Sequence, residues 1–381
     1  VIYPTVESLK NVNFSQFTNI KDIIIPASFK IIGESLFINC TYLKQISIPL
    51  SVTTIEKNDF KWCSSLEQIS IPSKVKSIGD NAFDGCKSLK QILISSLVAT
   101  LGSYAFNKCS SLEKISLPSK ITVIKSYTFN DCTSLKQIEI PLSVLSIENN
   151  AFYNCSSLEK IQLPSKVTSI GNYVFNGCQL LKQVVFPPSI ENIGTYAFNG
   201  CKSLKQIEIP SKVTNISSYT FYNCSSLEQI LISSKVTTIE NNAFYGCSNL
   251  VKIMFPSWLK AIGNNSFYGC SKLSQIAIPN SVTSIGSSAF YNCTSLIKVS
   301  IPPSVKSCGS NVFDGCDNIN EIECDPSNVS IANILNSESK LTKLIISTTS
   351  TKLDNCNLSQ FSNLTEIVIS SSITTIGSSA F

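Results

Sequence analysis

Thirteen cysteines recur at intervals of 23 residues: Cys40, Cys63, Cys86, Cys109, Cys132, Cys155, Cys178, Cys201, Cys224, Cys247, Cys270, Cys293 and Cys316. Three more, Cys308, Cys324 and Cys356, stand outside the series. Thiols at this density could pair as disulfides, hold a metal or act as nucleophiles. Repeats stacked like neighbouring strands would set successive Cα atoms about 5 Å apart, which disulfide geometry permits. Their Cβ vectors would nevertheless point the same way, and thirteen cannot pair completely. Zinc sites need clustered ligands at short spacings such as C-x2-C, and the chain has none. A reactive thiolate needs a basic neighbour, yet the chain contains no histidine and no basic cluster. Packing remains: cysteine behaves as a small apolar group with a weak S–H donor. The thirteen are therefore read as a structural core column, each S–H meeting a backbone carbonyl in or beside its coil. Cys308 and Cys324 stand where the repeat has isoleucine and read as core substitutions. Cys356 reads as a partly exposed exception.

The absence of histidine also removes Ser-His-Asp catalysis and His-based pH switching. No clustered acid/base pair and no phosphate-cradling glycine loop takes its place. No catalytic, cofactor-binding or metal-binding residue is assigned, and the chain is not expected to be an enzyme. Its net charge of +5 comes from 30 basic and 25 acidic residues spread along the length, which is no footprint for nucleic acid. No small-molecule substrate site is visible. No apolar run approaches the roughly 18 residues of a membrane span.

The cysteines must be positioned by a repeating element, and the unit 158–180 shows it: L-E-K-I-Q-L-P-S-K-V-T-S-I-G-N-Y-V-F-N-G-C-Q-L. Leu158, Ile161 and Leu163 have the spacing of a short strand lining a repeat array. Pro164 ends that strand because it cannot donate to a ladder. Val167 and Ile170 suit a second short extended segment, Gly171 turns the chain, and Val174 to Cys178 fit one turn of 3₁₀ or α helix. One unit cannot bury these side chains alone. Stacked about 4.8 Å apart, each lies over its copy in the next coil, and the core becomes a set of columns. Column-opening residues run from Ile20 to Ile319, Leu341 and Leu364, sixteen in all. They predict a curved rod on the order of 75 Å long.

The I-x-I-P of Ile69 to Pro72, Val75, the I-G of Ile78 and Gly79, and the A-F-x-x-C of Ala82 to Cys86 recur along nearly the whole chain. In these residues the sequence resembles the BspA-like leucine-rich repeats of the Treponema pallidum type, found in surface proteins of anaerobic bacteria and parasitic protozoa. The fold this implies is an α/β leucine-rich-repeat solenoid, mostly short parallel β-strands with short 3₁₀ or α turns. It is a curved right-handed coil of about 16 stacked 23-residue repeats.

Residues 1–381 read as a single solenoid with internal structure. Residues 1–318 are a regular array and 319–344 are degenerate repeats. Residues 345–381 align without gaps onto 1–37, N-L-S-Q-F-S-N-L at Asn357 to Leu364 matching N-F-S-Q-F-T-N-I at Asn13 to Ile20. They read as the start of a second block. The chain begins at Val1 and stops in mid-motif, so the expectation is a fragment of a parent with at least two such blocks.

Function is sought where the core dictates nothing. Lys44, Glu67, Lys90, Glu113, Lys136, Glu159 and Lys182 alternate in sign at one outward position, which suits register control and solubility. Another outward row turns apolar in the later coils, where the preceding row does too, at Val251 and Ile297. Leu231, Val251, Met254, Ala277 and Ile297 are expected to form an exposed apolar patch, extended by Trp258 where a lysine row would continue. Asn39, Asn154, Asn223 and Asn292 are N-glycosylation sequons that follow from the repeat consensus.

The resemblance implies a cell-surface or extracellular adhesion module. It would present its repeat surface to a protein ligand, such as a host extracellular-matrix or cell-surface protein. The alternative is a structural spacer or intracellular interaction scaffold with no ligand of its own. No cofactor is implied.

Overall fold

The computed structural model describes residues 14–17, 19–326, 329, 334–335, 340–348, 350–353, 358–359 and 361–377. They group into two compact units, Val1–Cys201 and Lys202–Phe381. Cys356, Asn13 and Asn357 lie outside the described residues.

In the first unit the coil at 158–180 shows how the repeat folds. The strand Lys160–Gln162 turns Ile161 inward between two exposed polar residues. The Val167 N–H bonds the Pro164 carbonyl at 3.1 Å, closing a turn that leads into the second strand, Ser169–Ile170. Both strands pair in parallel with their copies 23 residues on: Ile161 faces Val184 and Ile170 faces Ile193. An unbroken register keeps every apolar side chain over its like, so Leu158, Val167, Val174, Phe175 and Cys178 are all fully buried. The phenylalanine rings make the clearest column. Phe60, Phe83 and Phe106 stack at 5.3 and 5.4 Å with planes within 3°.

The segment Val174 to Cys178 is not helical. Tyr173 and Gly177 take positive φ, 60° and 76°, and two i→i+3 turns follow one another: Asn176 N–H to Tyr173 O and Cys178 N–H to Phe175 O. The alternate N–H groups of Tyr173, Phe175 and Gly177 reach across to Thr195, Ala197 and Asn199 of the next coil at 2.8–3.0 Å. A helix would have used those donors locally. The left-handed residues turn every second donor toward the neighbouring coil, so the turn face is hydrogen-bonded between coils as the strands are. Gly171 also differs from its sequence reading. It has no left-handed φ; a Cβ there would sit 2.7 Å from the Asn149 backbone nitrogen, so close approach of the coils is what requires glycine.

The second unit repeats this plan. Gln206–Glu208, Gln229–Leu231 and Lys252–Ile253 form one parallel sheet. To that sheet the coil opening at Leu273 adds only an isolated bridge, Lys252 to Gln275, while its second strand, Ser284–Ile285, pairs on both sides. A four-stranded parallel sheet follows, Lys298–Ser300, Glu321–Cys324, Lys343–Ile346 and Glu366–Ile369. The 22-residue spacing there is absorbed without loss of register: Ile322 faces Leu344 and Cys324 faces Ile346. Cys308 likewise faces Ile285.

Candidate binding surface

On the strand face of the second unit the inward residues Ile230 and Ile253 are buried, and the positions between them point to solvent. Leu231 is 62% exposed and Met254 68%. Register carries the row on to Ala277, which is also exposed. Val251 and Ile297 occupy the neighbouring outward position, two coils apart with Ser274 between them, and both are exposed. Trp258, 67% exposed, sits on the turn after Pro256, whose carbonyl takes the Leu259 N–H at 3.0 Å. Leu259 is buried, so the tryptophan is carried on a turn anchored from beneath. Four large apolar side chains thus face water on two consecutive coils, Leu231 on one and Val251, Met254 and Trp258 on the next, and Ile297 follows two coils further on.

The outward row that Val251 and Ile297 occupy is a charge ladder in other coils. Lys136 meets Glu113 at 3.2 Å and Lys182 meets Glu159 at 3.0 Å in the first unit; Lys205 meets Glu228 at 3.9 Å in the second. All six side chains are exposed, where such pairs contribute a few tenths of a kcal/mol each. Val251 stands where the next lysine would meet Glu228.

The first unit has apolar exposure of its own, part of which the sequence pattern hid. A trough of about 710 Å³ is lined by Ile24, Leu50 and Leu93, and another of about 910 Å³ by Leu142, Val185 and Phe186. Leu50 and Leu142 replace the serine of the P-S-K-V consensus, a signal readable only once that position is known to face solvent.

The turn face of the second unit carries a feature that sequence reading missed. Tyr222, Tyr245, Tyr268 and Tyr291 stack as a half-buried ladder with ring centroids 4.6–4.7 Å apart. The signal was the tyrosine that follows the column phenylalanine in four successive coils.

The column cysteines are thiols at the centre of the coils. Cys63 donates to Phe37 O at 3.1 Å and Cys247 to Phe221 O at 3.2 Å, each carbonyl 26 positions earlier. Burial pushes the Cys40 thiol up to about 11 and the deeper ones higher still. Cys308, half-buried, is pushed up to about 12 by the same cause. None of these is poised as a thiolate at neutral pH. Among the described residues no helix is long and apolar enough to cross a membrane.

The signature of the BspA type leucine rich repeat region matches six copies that together run from residue 1 to residue 381. The chain belongs to that family. A solved leucine-rich repeat protein from Bacteroides ovatus is 32% identical and superposes with a TM-score of 0.81, over 88% of this chain and 87% of that one. A leucine rich cell surface protein from Faecalibacterium prausnitzii is 29% identical with a TM-score of 0.56, over 80% and 87%. The T. pallidum leucine-rich repeat protein is 30% identical over 48% of this chain and 78% of its own, with a TM-score of 0.39. No curated protein matches. Membership in the BspA-type family accounts for the parallel solenoid.

Proposed function

We propose that this chain is a non-enzymatic protein-binding module displayed at a cell surface, and that Leu231, Val251, Met254, Trp258, Ala277 and Ile297 are its contact patch. The observation that carries the reading is the exposure of five large apolar side chains on one face of the second unit. Soluble surfaces seldom group such residues without a contact to cover them. Extended repeat surfaces suit large protein ligands. The family and the description of the F. prausnitzii relative as a cell surface protein support the location.

The test is capture of extracellular-matrix proteins immobilised on a surface, by the full chain and by the double variant Leu231→Lys, Met254→Lys. Both positions are outward, so the variant folds as the parent does. Retained capture by the parent and loss by the variant is the expected result. Equal capture by both removes the patch as the contact site, and capture by neither returns the chain to the role of a spacer without a ligand.

A further inference from the structure

Lysines outnumber acidic residues around the patch, and this bears on what it binds. Between residues 228 and 306 there are six lysines, at 235, 252, 260, 272, 298 and 306, and two acidic residues, Glu228 and Glu240; just outside that span Glu208 faces Leu231 across the sheet and Glu321 pairs with Lys298. The two acids within the span are already engaged. Glu228 pairs with Lys205. Glu240 takes the N–H and hydroxyl of Ser218 at 2.9 and 3.0 Å and the Asn215 amide at 2.9 Å. Lys235, Lys252 and Lys260 are exposed and make no ion pair among the described residues. Lys252 lies between Val251 and Met254 in the same strand segment, and Lys235 precedes Trp258 by one coil at the equivalent position.

Resting on the patch assigned above, we infer that its partner is an acidic polypeptide segment with apolar anchors, aspartates or glutamates alternating with large aliphatic or aromatic side chains. The apolar side chains of such a segment cover Leu231, Met254 and Trp258, and its carboxylates meet Lys235, Lys252 and Lys260. Charge of this kind steers encounter and selects the partner more than it adds affinity. A polypeptide fits better than a lipid surface because the outward strand row also holds Gln229 and Gln275. Their amides would lose water against a bilayer without gaining partners, whereas a peptide backbone supplies both donors and acceptors.

The experiment uses the full chain with Trp62→Phe, which leaves Trp258 as the sole tryptophan reporter. Two synthetic peptides share one leucine pattern and carry glutamate or lysine at the other positions; phosphatidylserine vesicles are the third probe. The glutamate peptide is expected to shift Trp258 emission to the blue with saturation. Its affinity should fall about tenfold in Lys252→Gln, Lys260→Gln, and again as salt rises from about 50 to about 300 mM. Equal binding of the lysine peptide, indifference to the lysine substitutions, or a shift with vesicles alone overturns the inference. Loss of peptide binding in Leu231→Ser, Met254→Ser, with no loss in the lysine variant, overturns the acidic partner and leaves the patch standing. Loss in neither variant overturns both.

Discussion

The thiol of Cys178 donates to the carbonyl oxygen of Phe152, 3.3 Å away and 26 positions earlier in the chain. The cysteine is therefore the inner stitch between one turn face and the next, placed where water does not reach. A thiol so held is held as the neutral donor: burial raises its ionisation far above neutral pH. In the native protein the column cysteines should resist iodoacetamide at pH 8, and all should label once urea unfolds the chain. Mass spectrometry counts the additions. Cys178→Ala should lower stability by about 1–2 kcal/mol, read from the urea midpoint.

Asp59 is a buried carboxyl in a column otherwise held by leucine, alanine, valine, serine or threonine. Its Oδ2 accepts the Glu56 N–H at 2.7 Å, and burial pushes its pKa from 3.8 up to about 8. Between those values the folded chain keeps a proton that the unfolded chain gives up. Stability therefore falls as pH rises from about 4 to about 8 and levels off above. Asp59→Asn removes that slope, so its advantage over the parent should grow across the same window to a few kcal/mol at most, on the order of the linkage value. Urea titrations at pH 5, 6.5 and 8 check it; an advantage that shrinks with pH contradicts it.

Two glycines separate two reasons for the residue. At Gly102 a Cβ would lie 2.3 Å from the Asp80 backbone nitrogen, with no left-handed φ involved. At Gly200 the nearest atoms are 3.9 Å away, but φ is +71°. Gly102→Ala should cost about 1–3 kcal/mol because backbone must move. Gly200→Asn should cost about 0.5 kcal/mol or less, since asparagine tolerates that φ, as Asn154 and Asn223 do at the same repeat position.

The tyrosine ladder should stiffen the turn face of the second unit. Removing an inner rung breaks two ring contacts, Tyr245 with Tyr222 and with Tyr268, both at 4.6 Å. Tyr245→Ala should lose about 1–2 kcal/mol, and Tyr291→Ala, where the ring stacks on Tyr268 at 4.7 Å at the end of the ladder, about half as much. Equal losses would show that the rings act singly.

Much of this fold was readable in the chain because each column repeats its residue type thirteen times or nearly so. Leu158, Phe175 and Cys178 identify their environments by recurrence alone. The turn segment was misread for a physical reason: apolar residues at 174, 175 and 178 have helical spacing, while the left-handed φ of Tyr173 leaves no mark in a tyrosine codeword of the sequence. Asp59 went unnoticed because one carboxyl among aliphatic residues changes no periodicity. On the outward rows the pattern located Leu231 and Met254, but it passed over Leu50 and Leu142, whose exposure depends on a turn that periodicity does not describe.

Met254 is the only methionine in the chain and Trp258 one of two tryptophans, which makes the patch directly addressable. Hydroxyl-radical footprinting of the chain bound to a captured matrix protein, with oxidation counted residue by residue, tests the central claim. The account requires Met254 and Trp258 to be protected in the complex while Trp62 and Leu93 oxidise as in the unbound chain. Unprotected Met254 and Trp258 in a saturated complex would contradict it.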